Sequence, residues 1–234
     1  MKITAFNGSP RGERSVTSIM VTEFLKGAQD AGAETEHILL ARKDIRHCRG
    51  CFACWTTTPG KCAIDDDMKG LIPKFVASDV AVIATPLYVD NVCGITKDFL
   101  DRLIPILDAH FEKDNSGECR HDLRYGKSPK LVILSNSGFP EQSHFQVLRL
   151  LFRRVALNIH SEVLAEVYRP AGPVLKYTPK EAVNGVAAYK LLLRNAGSEI
   201  ARGGKLTKKT INGLEKPILK DEDYIRGANE DMKP

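Results

Sequence analysis

Residues 2–18, KITAFNGSPRGERSVTS, decide the fold predicted for this chain. The stretch begins with Lys2–Phe6, a short apolar-rich run closed by Asn7-Gly8, which is typical of a strand that ends in a turn. We expect a helix from about Ser15 to Ala31, because apolar residues recur there at helical spacing and Ser15 suits the N-cap. The stretch therefore predicts a strand, a polar loop and a helix, in that order.

The same alternation of strand and helix continues along the chain. The run Val80–Ala84 is continuously apolar and ends at Thr85-Pro86, as expected of a strand buried on both faces. Strands that alternate with amphipathic helices predict a parallel sheet with helices on both faces. We expect further strands at Thr35–Leu40, Lys130–Leu134 and Glu162–Val167, and helices after Asp65-Asp66-Asp67, at Ile95–Leu107, at Ser143–Leu157 and at Pro179–Ala201. A polar insertion spans about 111–128, and a short helix with a tail is expected at the end of the chain.

Composition narrows the class of protein. The 234 residues, of which 43% are hydrophobic and 27% charged, suit one α/β domain with some extra length. The net charge of +5 comes without the dense basic stripe and interleaved aromatic residues of a nucleic-acid binder, so we expect no nucleic-acid partner. No run of about 18 apolar residues could span a membrane, and the first apolar run is too short for a signal peptide. These features predict a cytoplasmic protein without a membrane partner.

Three polar loops follow three of the predicted strands. The first, Gly8–Ser18, is neither a P-loop nor a G-x-G-x-x-G motif, but it offers hydroxyl groups, the guanidinium of Arg11 and free backbone N–H groups at a helix N-terminus. That set suits a phosphate monoester. The loops at Thr85–Val92 and Ser135–Glu141 follow neighbouring strands, and each carries an aromatic residue. Together the three loops could enclose a phosphate, a sugar-alcohol chain and a flat ring system.

In these loops the sequence resembles a known group, the flavodoxin-like NAD(P)H-dependent FMN reductases, and within it the iron–sulfur flavoproteins. The matching segments are Gly8-Ser9-Pro10-Arg11 with Ser15 and Thr17, Thr85-Pro86-x-Tyr88, Lys97-x-Phe99-x-Asp101-Arg102, Gly138-Phe139-Pro140-Glu141, and the C-terminal Asp221-Glu222-Asp223-Tyr224 and Ala228-Asn229. The resemblance implies a doubly wound, five-stranded parallel sheet of order 2-1-3-4-5. It also implies a flavodoxin-like FMN-binding domain over 1–204 and a C-terminal extension over 205–234.

The resemblance implies an FMN site at the three loops. We expect no catalytic side chain, because in such proteins the flavin itself accepts and donates the electrons. Tyr88 and Phe139 are the candidates to shape the substrate face. The residues expected around FMN are Ser9, Arg11, Ser15, Val16 (through its backbone N–H, where relatives often have Asn) and Thr17 at the phosphate, Pro86, Leu87, Tyr88 and Asn91 along the ring and ribityl chain, and Ser137 and Gly138 near the ring edge.

A cysteine-rich loop over 46–62 is the second constellation. Its motif, Cys48-x-x-Cys51-x-x-Cys54-x7-Cys62, can turn several thiolates toward one metal group. Three hypotheses stay open: a [4Fe–4S] cluster, as in the iron–sulfur flavoproteins that the sequence resembles; a zinc ion, although zinc sites more often pair two separated C-x-x-C units; and an ordinary loop without metal. Two other cysteines, Cys93 and Cys119, and the scattered histidines show no metal-ligand spacing.

Two functions follow from the resemblance. The first is an enzyme that moves electrons from NADH or NADPH through FMN to a flavin, quinone or similar small acceptor. The alternative is an electron carrier that relays single electrons between a ferredoxin-like donor and FMN through a [4Fe–4S] cluster. The resemblance also implies a homodimer or homotetramer, to which 111–128 and the C-terminal stretch would contribute.

Overall fold

The computed structural model describes residues 1–231. The strands are β1 (Lys2–Asn7), β2 (Glu34–Leu39), β3 (Val80–Tyr88), β4 (Asn91–Val92), β5 (Leu107–Lys113), β6 (Cys119–Leu123), β7 (Lys130–Asn136) and β8 (Val163–Arg169). The helices are α1 (Val16–Asp30), α2 (Met68–Ala77), α3 (Gly94–Asp101), α4 (Gln146–Asn158), α5 (Val183–Gly203), α6 (Lys208–Glu215) and α7 (Asp221–Asp231).

The central sheet has the predicted topology. Its order is β2-β1-β3-β7-β8, and all four pairings along this path are parallel. Counted as five long strands, this is the order 2-1-3-4-5 implied by the resemblance. The short β4 adds an antiparallel pairing to the end of β3. The chain thus runs outward to β2 from β1 and then crosses back to β3, so the strand order reverses between β1 and β3.

Each strand of the sheet divides its side chains between two hydrophobic layers. On β3, Val80, Val82 and Ala84 pack with residues of α1 and α5, whereas Ala81 and Ile83 pack with residues of α2, α3 and α4. Helices therefore cover both faces of the sheet, as the apolar strands predict. No helix of residues 1–231 combines the length and the apolar character that crossing a membrane requires.

Two predicted elements are wrong in detail. The helix expected to reach Leu107 ends at Asp101, and Ile104–Ile106 forms a 3-10 turn instead. Pro105 explains the break, because it lacks an N–H donor and disfavours helical geometry in the residue before it. The polar insertion also contains more structure than predicted, since β5 and β6 form an antiparallel hairpin.

The C-terminal stretch holds two helices, α6 and α7, rather than one short helix and a tail. Side chains of the stretch, including Leu214 and Tyr224, pack against the hydrophobic layer that contains α1 and α5. The boundary expected at residue 204 falls just after α5. The last residues of the expected extension, 232–234, lie outside the described part of the chain.

Candidate functional site

Three loops meet at the carboxyl edge of the sheet. We call them the first loop (residues 8–15, after β1), the second loop (residues 86–93, around the β3–β4 turn) and the third loop (residues 137–141, after β7). Because β1, β3 and β7 are adjacent and parallel, their carboxyl ends lie side by side. The strand order reverses between β1 and β3, and sheets of this kind bind ligands at the carboxyl edge beside such a reversal.

The first loop presents the N-terminus of α1. Ser15 is the N-cap: its Oγ accepts a hydrogen bond from the N–H of Ser18 at 2.9 Å and donates to the carbonyl of Gly12 at 2.7 Å. The N–H groups of Val16 and Thr17, in the first turn, have no carbonyl within the helix to bond. Together with the positive end of the helix dipole, these groups form a site for an anion.

The predicted phosphate residues differ in how available they are. Ser9 and Thr17 are buried, and the hydroxyl of Thr17 accepts a hydrogen bond from Nδ2 of Asn136 at 2.9 Å, which leaves its own O–H to donate. The proton of Ser15 is committed to Gly12, so Ser15 acts as a cap in this geometry. Arg11 is exposed and forms no ion pair within residues 1–231, which leaves its guanidinium available.

Close packing ties the first loop to α3. A Cβ on Gly8 would lie 1.9 Å from Oγ1 of Thr96, so only glycine fits there. The Cys93 thiol donates to the carbonyl of Gly8 at 2.9 Å, and the Cys93 N–H donates to Oγ1 of Thr85 at 3.2 Å. Cys93 is thus a buried structural thiol that joins the first two loops, a role that spacing in the sequence did not indicate.

The second loop is a tight turn under strain. Tyr88 and Asn91 pair across it, and the two residues between them, Val89 and Asp90, both have positive φ, at 48° and 57°. A β-branched residue rarely adopts this conformation, and Val89 is also 98% exposed. Of the residues predicted to contact a ring, Pro86 is buried, whereas Tyr88 and Asn91 face solvent at the loop edge.

The third loop leaves space beside it. Gly138 is exposed, and apart from its two chain neighbours no described residue has an atom within 4 Å of the position that its Cβ would take. Phe139 stacks on the imidazole of His144, with the ring centroids 4.4 Å apart. His144 lies between two carboxylates, 3.3 Å from Glu141 and 3.5 Å from Asp90, and so connects the third loop to the second. The sequence gives only the three-residue spacing of Glu141 and His144 as a signal for this contact.

The four clustered cysteines also come together. Cys48 and Cys51 are exposed, Cys62 is half-buried and Cys54 is buried, yet all four line one cavity of about 80 Å³. Burial raises the pKa of the Cys54 thiol, and the nearby Cys62 raises it further. Within residues 1–231 no group of three or more His, Cys, Asp or Glu side chains is arranged to hold a single metal ion. The four thiols are therefore gathered at one place in the fold, around the cavity that they line.

A buried ion pair supports the cysteine cavity. Arg102 lines the cavity, is 1% exposed, and donates two hydrogen bonds to the Asp66 carboxylate at 2.6 and 2.9 Å. Burial alone would raise the pKa of Asp66, but hydrogen bonds from Arg102 and from the N–H groups of Arg46 and Met68 hold it below its usual range. Nε of Arg102 is buried and has no partner within the described residues. One of the residues that line this cavity with the four cysteines therefore keeps a buried N–H donor without a partner in the described part of the chain.

The hairpin of β5 and β6 contacts the cysteine-rich loop. The ring of Trp55 lies 4.4 Å from the ring of His121 on β6, and its Nε1 donates to the carbonyl of Ile104. Tyr125, just after the hairpin, donates to the carbonyl of Gly60. The polar insertion thus packs against the cysteine-rich loop.

The fold and the three loops at the carboxyl edge of its sheet together define a flavodoxin-like α/β protein. The family model for the NADPH-dependent FMN reductases matches residues 1–117, half of the chain, and the chain belongs to that family. The match covers the first two loops and the cysteine-rich loop. The family predicted from the sequence motifs is confirmed.

Comparison with individual relatives finds similarity to iron–sulfur flavoproteins. The chain is 36% identical over 106 residues to an iron–sulfur flavoprotein of Methanocaldococcus jannaschii, covering 45% of this chain and 53% of the relative. It is 31% identical over 115 residues to an iron–sulfur flavoprotein of Methanosarcina thermophila, covering 49% and 59%. The chain therefore spans about half the length of the curated relatives it matches.

Solved structures confirm the fold. An NAD(P)H:quinone oxidoreductase from Methanothermobacter marburgensis superposes with a TM-score of 0.61 at 14% identity, over 86% of this chain and 96% of the other. An NADH:FMN oxidoreductase in its apo form gives a TM-score of 0.56 at 18% identity, over 89% and 92%. At these identities the likeness establishes the flavodoxin-like fold alone.

Proposed function

We propose that the chain is an FMN-dependent oxidoreductase that takes electrons from NADH or NADPH and passes them to a flavin, a quinone or a similar small acceptor. The observation that carries this proposal is the meeting of the three loops at one sheet edge. The end of β7 and the start of α1 are in direct contact there, through the hydrogen bond between Asn136 and Thr17. Family membership supports the same cofactor.

The residues present fit the cofactor. The first N–H groups of α1, the hydroxyls of Ser9 and Thr17 and the free guanidinium of Arg11 would hold the phosphate. The exposed Tyr88 and Asn91 and the open space beside Gly138 would accommodate the ribityl chain and the ring. Bound FMN would supply a ring that accepts electrons from the nicotinamide and returns them to the acceptor. The protein orients that ring and leaves one face accessible.

Arg11 provides the first test. In Arg11→Ala, FMN binding should weaken by about 1.5–3 kcal/mol, the usual contribution of a hydrogen bond to a charged group. Arg14→Ala is the matched control. Arg14 is also exposed, and its substitution removes the same charge three residues further along the chain. Fluorescence titration of the apoprotein with FMN measures both affinities. Equal affinities in the two variants would contradict the phosphate site, and a wild-type protein that binds no FMN would contradict the proposed function itself.

A second function is favoured by the cysteine cavity. In this alternative the protein relays single electrons between a ferredoxin-like donor and FMN. Cys48, Cys51, Cys54 and Cys62 supply the four thiolates that a [4Fe–4S] cluster requires, and the buried N–H of Arg102 beside them would offset part of its negative charge. Such a cluster would supply one-electron transfer. Relatives named iron–sulfur flavoproteins support this alternative.

Iron content separates the two functions. Protein purified without oxygen should contain about four irons per chain if a [4Fe–4S] cluster is present. Cys51→Ser should lose this iron, whereas Cys119→Ser should keep it, because Cys119 is exposed on β6 and does not line the cavity. FMN without iron in the wild-type protein would leave the reductase as the function and remove the relay.

A homodimer or homotetramer remains part of the proposal. Large apolar side chains are exposed on the second loop, the third loop and α4: Val89 at 98%, Phe139 at 59% and Leu150 at 65%. A second copy of the chain would cover them. Sedimentation of the FMN-loaded protein should give at least twice the mass of one chain.

A further inference from the structure

The C-terminal helix α7 reaches the third loop. The hydroxyl of Tyr224 donates a hydrogen bond to the carbonyl of Gly138 at 2.7 Å, across 86 residues of sequence. The Tyr224 ring is half-buried and packs against the hydrophobic layer that contains α1 and α5. Burial raises the pKa of Tyr224, so its hydroxyl keeps its proton and stays a donor at neutral pH.

Protein donors occupy three consecutive carbonyl groups of the third loop. The carbonyl of Ser137 accepts from the N–H of Gly172, and that of Phe139 accepts from the N–H of Ala171, both at 2.8 Å. The carbonyl between them, that of Gly138, accepts from Tyr224. Two of the three contacts therefore come from the segment after β8, and the middle one comes only from α7.

The orientation of these carbonyls fixes the N–H groups of the same peptides. In a trans peptide the C=O of one residue and the N–H of the next point in opposite directions. The N–H groups of Gly138 and Phe139 thus point away from their protein partners, and neither has a hydrogen-bond partner within residues 1–231. Gly138 adds no side chain that would block access to them.

Positive charge lies next to the same loop. Arg169, at the end of β8, is 3% exposed and forms no ion pair within residues 1–231. Its carbonyl accepts from the N–H of Ser137, and its Nη1 donates to the carbonyl of Lys216, just after α6. The C-terminal stretch is therefore anchored at two points around the third loop, through Lys216 and through Tyr224.

We infer that Tyr224 is a positioning residue for the flavin: its hydroxyl fixes the Gly138–Phe139 peptide so that the N–H of Phe139 faces the bound ring. This inference rests on the proposed function, since it concerns the FMN that the three loops would hold. Amide N–H groups aimed at a flavin stabilise the negative charge of its reduced form more than the neutral oxidised form. The C-terminal stretch therefore belongs to the flavin site and influences its reduction potential.

Tyr224→Phe tests the inference, with Tyr177→Phe as the matched control. The substitution at Tyr224 keeps the packed ring and removes only the donor. Tyr177 is 65% exposed, and its hydroxyl makes no hydrogen bond within residues 1–231. We expect Tyr224→Phe to weaken FMN binding about two- to tenfold, the effect of losing one hydrogen bond. The reduced cofactor should lose more affinity than the oxidised one, so the midpoint potential should fall, and Tyr177→Phe should change neither quantity.

The outcomes are distinguishable. FMN affinities and the midpoint potential are measured on the full chain by titration of the apoprotein and by equilibration with reference dyes. A purely structural role for Tyr224 would lower the melting temperature of the apoprotein but leave the ratio of the two affinities unchanged, which would overturn the inference. If the wild-type protein binds FMN and Tyr224→Phe matches it, the inference alone is wrong. If the wild-type protein binds no FMN, the proposed function fails and the inference fails with it.

Discussion

The first loop and the cysteine-rich loop both gather reactive groups, but the chain holds them in different ways. The first loop is fixed by short-range bonds of its own: Gly12 N–H to the Ser9 carbonyl, Ser15 N–H to the Gly12 carbonyl, and Ser18 N–H to Ser15 Oγ. Its position follows from β1 and α1 on either side. The anion site is thus a product of the fold itself.

The cysteine-rich loop depends on distant partners. Residues 43–67 contain no strand or helix. The segment is held by Asp66, which accepts from Arg102 and from the N–H of Arg46, and by Trp55, which donates to the carbonyl of Ile104. The buried ion pair between Arg102 and Asp66 is therefore a main contact that holds the cysteine-rich loop in place. We expect the two regions to respond differently when a single contact is removed.

The largest expected effect is at Arg102. Replacing it with Met removes both close, charged hydrogen bonds to the fully buried Asp66 carboxylate and leaves only the half-exposed Arg46 guanidinium, 3.9 Å away. This should cost about 3–5 kcal/mol of the free energy of unfolding. The cysteine cavity should lose its shape at the same time, so that any bound iron is lost. Urea denaturation monitored by circular dichroism measures the stability change, and an iron assay measures the second effect.

Lys97→Met is the control for Arg102→Met. Lys97 also pairs with a carboxylate, that of Asp101, but both side chains are about half exposed, and such pairs contribute about 0–1 kcal/mol. The double variant Arg102→Met with Asp66→Asn should recover part of the stability, because no charge then stays buried. Equal losses in Lys97→Met and Arg102→Met would show that the cysteine-rich loop does not depend on the buried pair.

The turn and the helix cap within the first loop could be predicted from the sequence because their contacts are local, unlike the bond from the Cys93 thiol to Gly8. The N-cap role of Ser15 follows from its place before an apolar-periodic stretch, and its Oγ does accept from the N–H of Ser18. The continuous apolar run at Val80–Ala84 likewise identifies a central strand of the parallel sheet. Local pattern and fold agree at this edge, so the positions of the candidate flavin residues follow from both.

The contacts that the sequence does not predict are those between distant segments. Arg102 and Asp66 are 36 residues apart, and Tyr224 and Gly138 are 86 residues apart, so neither pair has a spacing to recognise. The hairpin of β5 and β6 escapes prediction because most of its residues are exposed or half-buried and show no clear two-residue period. His144 meets Asp90 only because the sheet brings the second and third loops together.

A smaller effect is expected where the start of α1 meets the end of β7, beside the first and third loops. Thr17→Val keeps the shape of the side chain but leaves the buried Nδ2 of Asn136 without its acceptor, which should cost about 1–3 kcal/mol of unfolding free energy. Thr57→Val in the exposed part of the cysteine-rich loop is the matched control and should stay within about 0.5 kcal/mol of the wild type. A similar cost for both variants would mean that the loop edge is not held by this contact. The same denaturation measurement decides the question.

The smallest expected effect is a pH dependence at His37, next to the first loop. On β2, Nε2 of His37 lies 3.2 Å from the side-chain amide nitrogen Nδ2 of Asn7. The Oδ1 of the same amide accepts a hydrogen bond from the N–H of Ser9 in the first loop. Burial lowers the pKa of His37 below its usual value of about 6.5, although the carboxylate of Glu13 partly opposes this. Neutral His37 can accept from the Asn7 amide, whereas the protonated ring would place two donors against each other.

The sign of the effect follows from this lowered pKa. Between the lowered value and about 6.5 the unfolded chain binds more protons than the folded protein, so the free energy of unfolding decreases as the pH falls through that window. The variant His37→Gln keeps an acceptor for Asn7 but does not titrate. Its free energy of unfolding should therefore fall less steeply than that of the wild type between about pH 6.5 and about pH 5, the range just below the usual imidazole pKa. Denaturation curves of both proteins across this range isolate the contribution of His37. Parallel curves would show that the first loop is insensitive to the charge on this histidine.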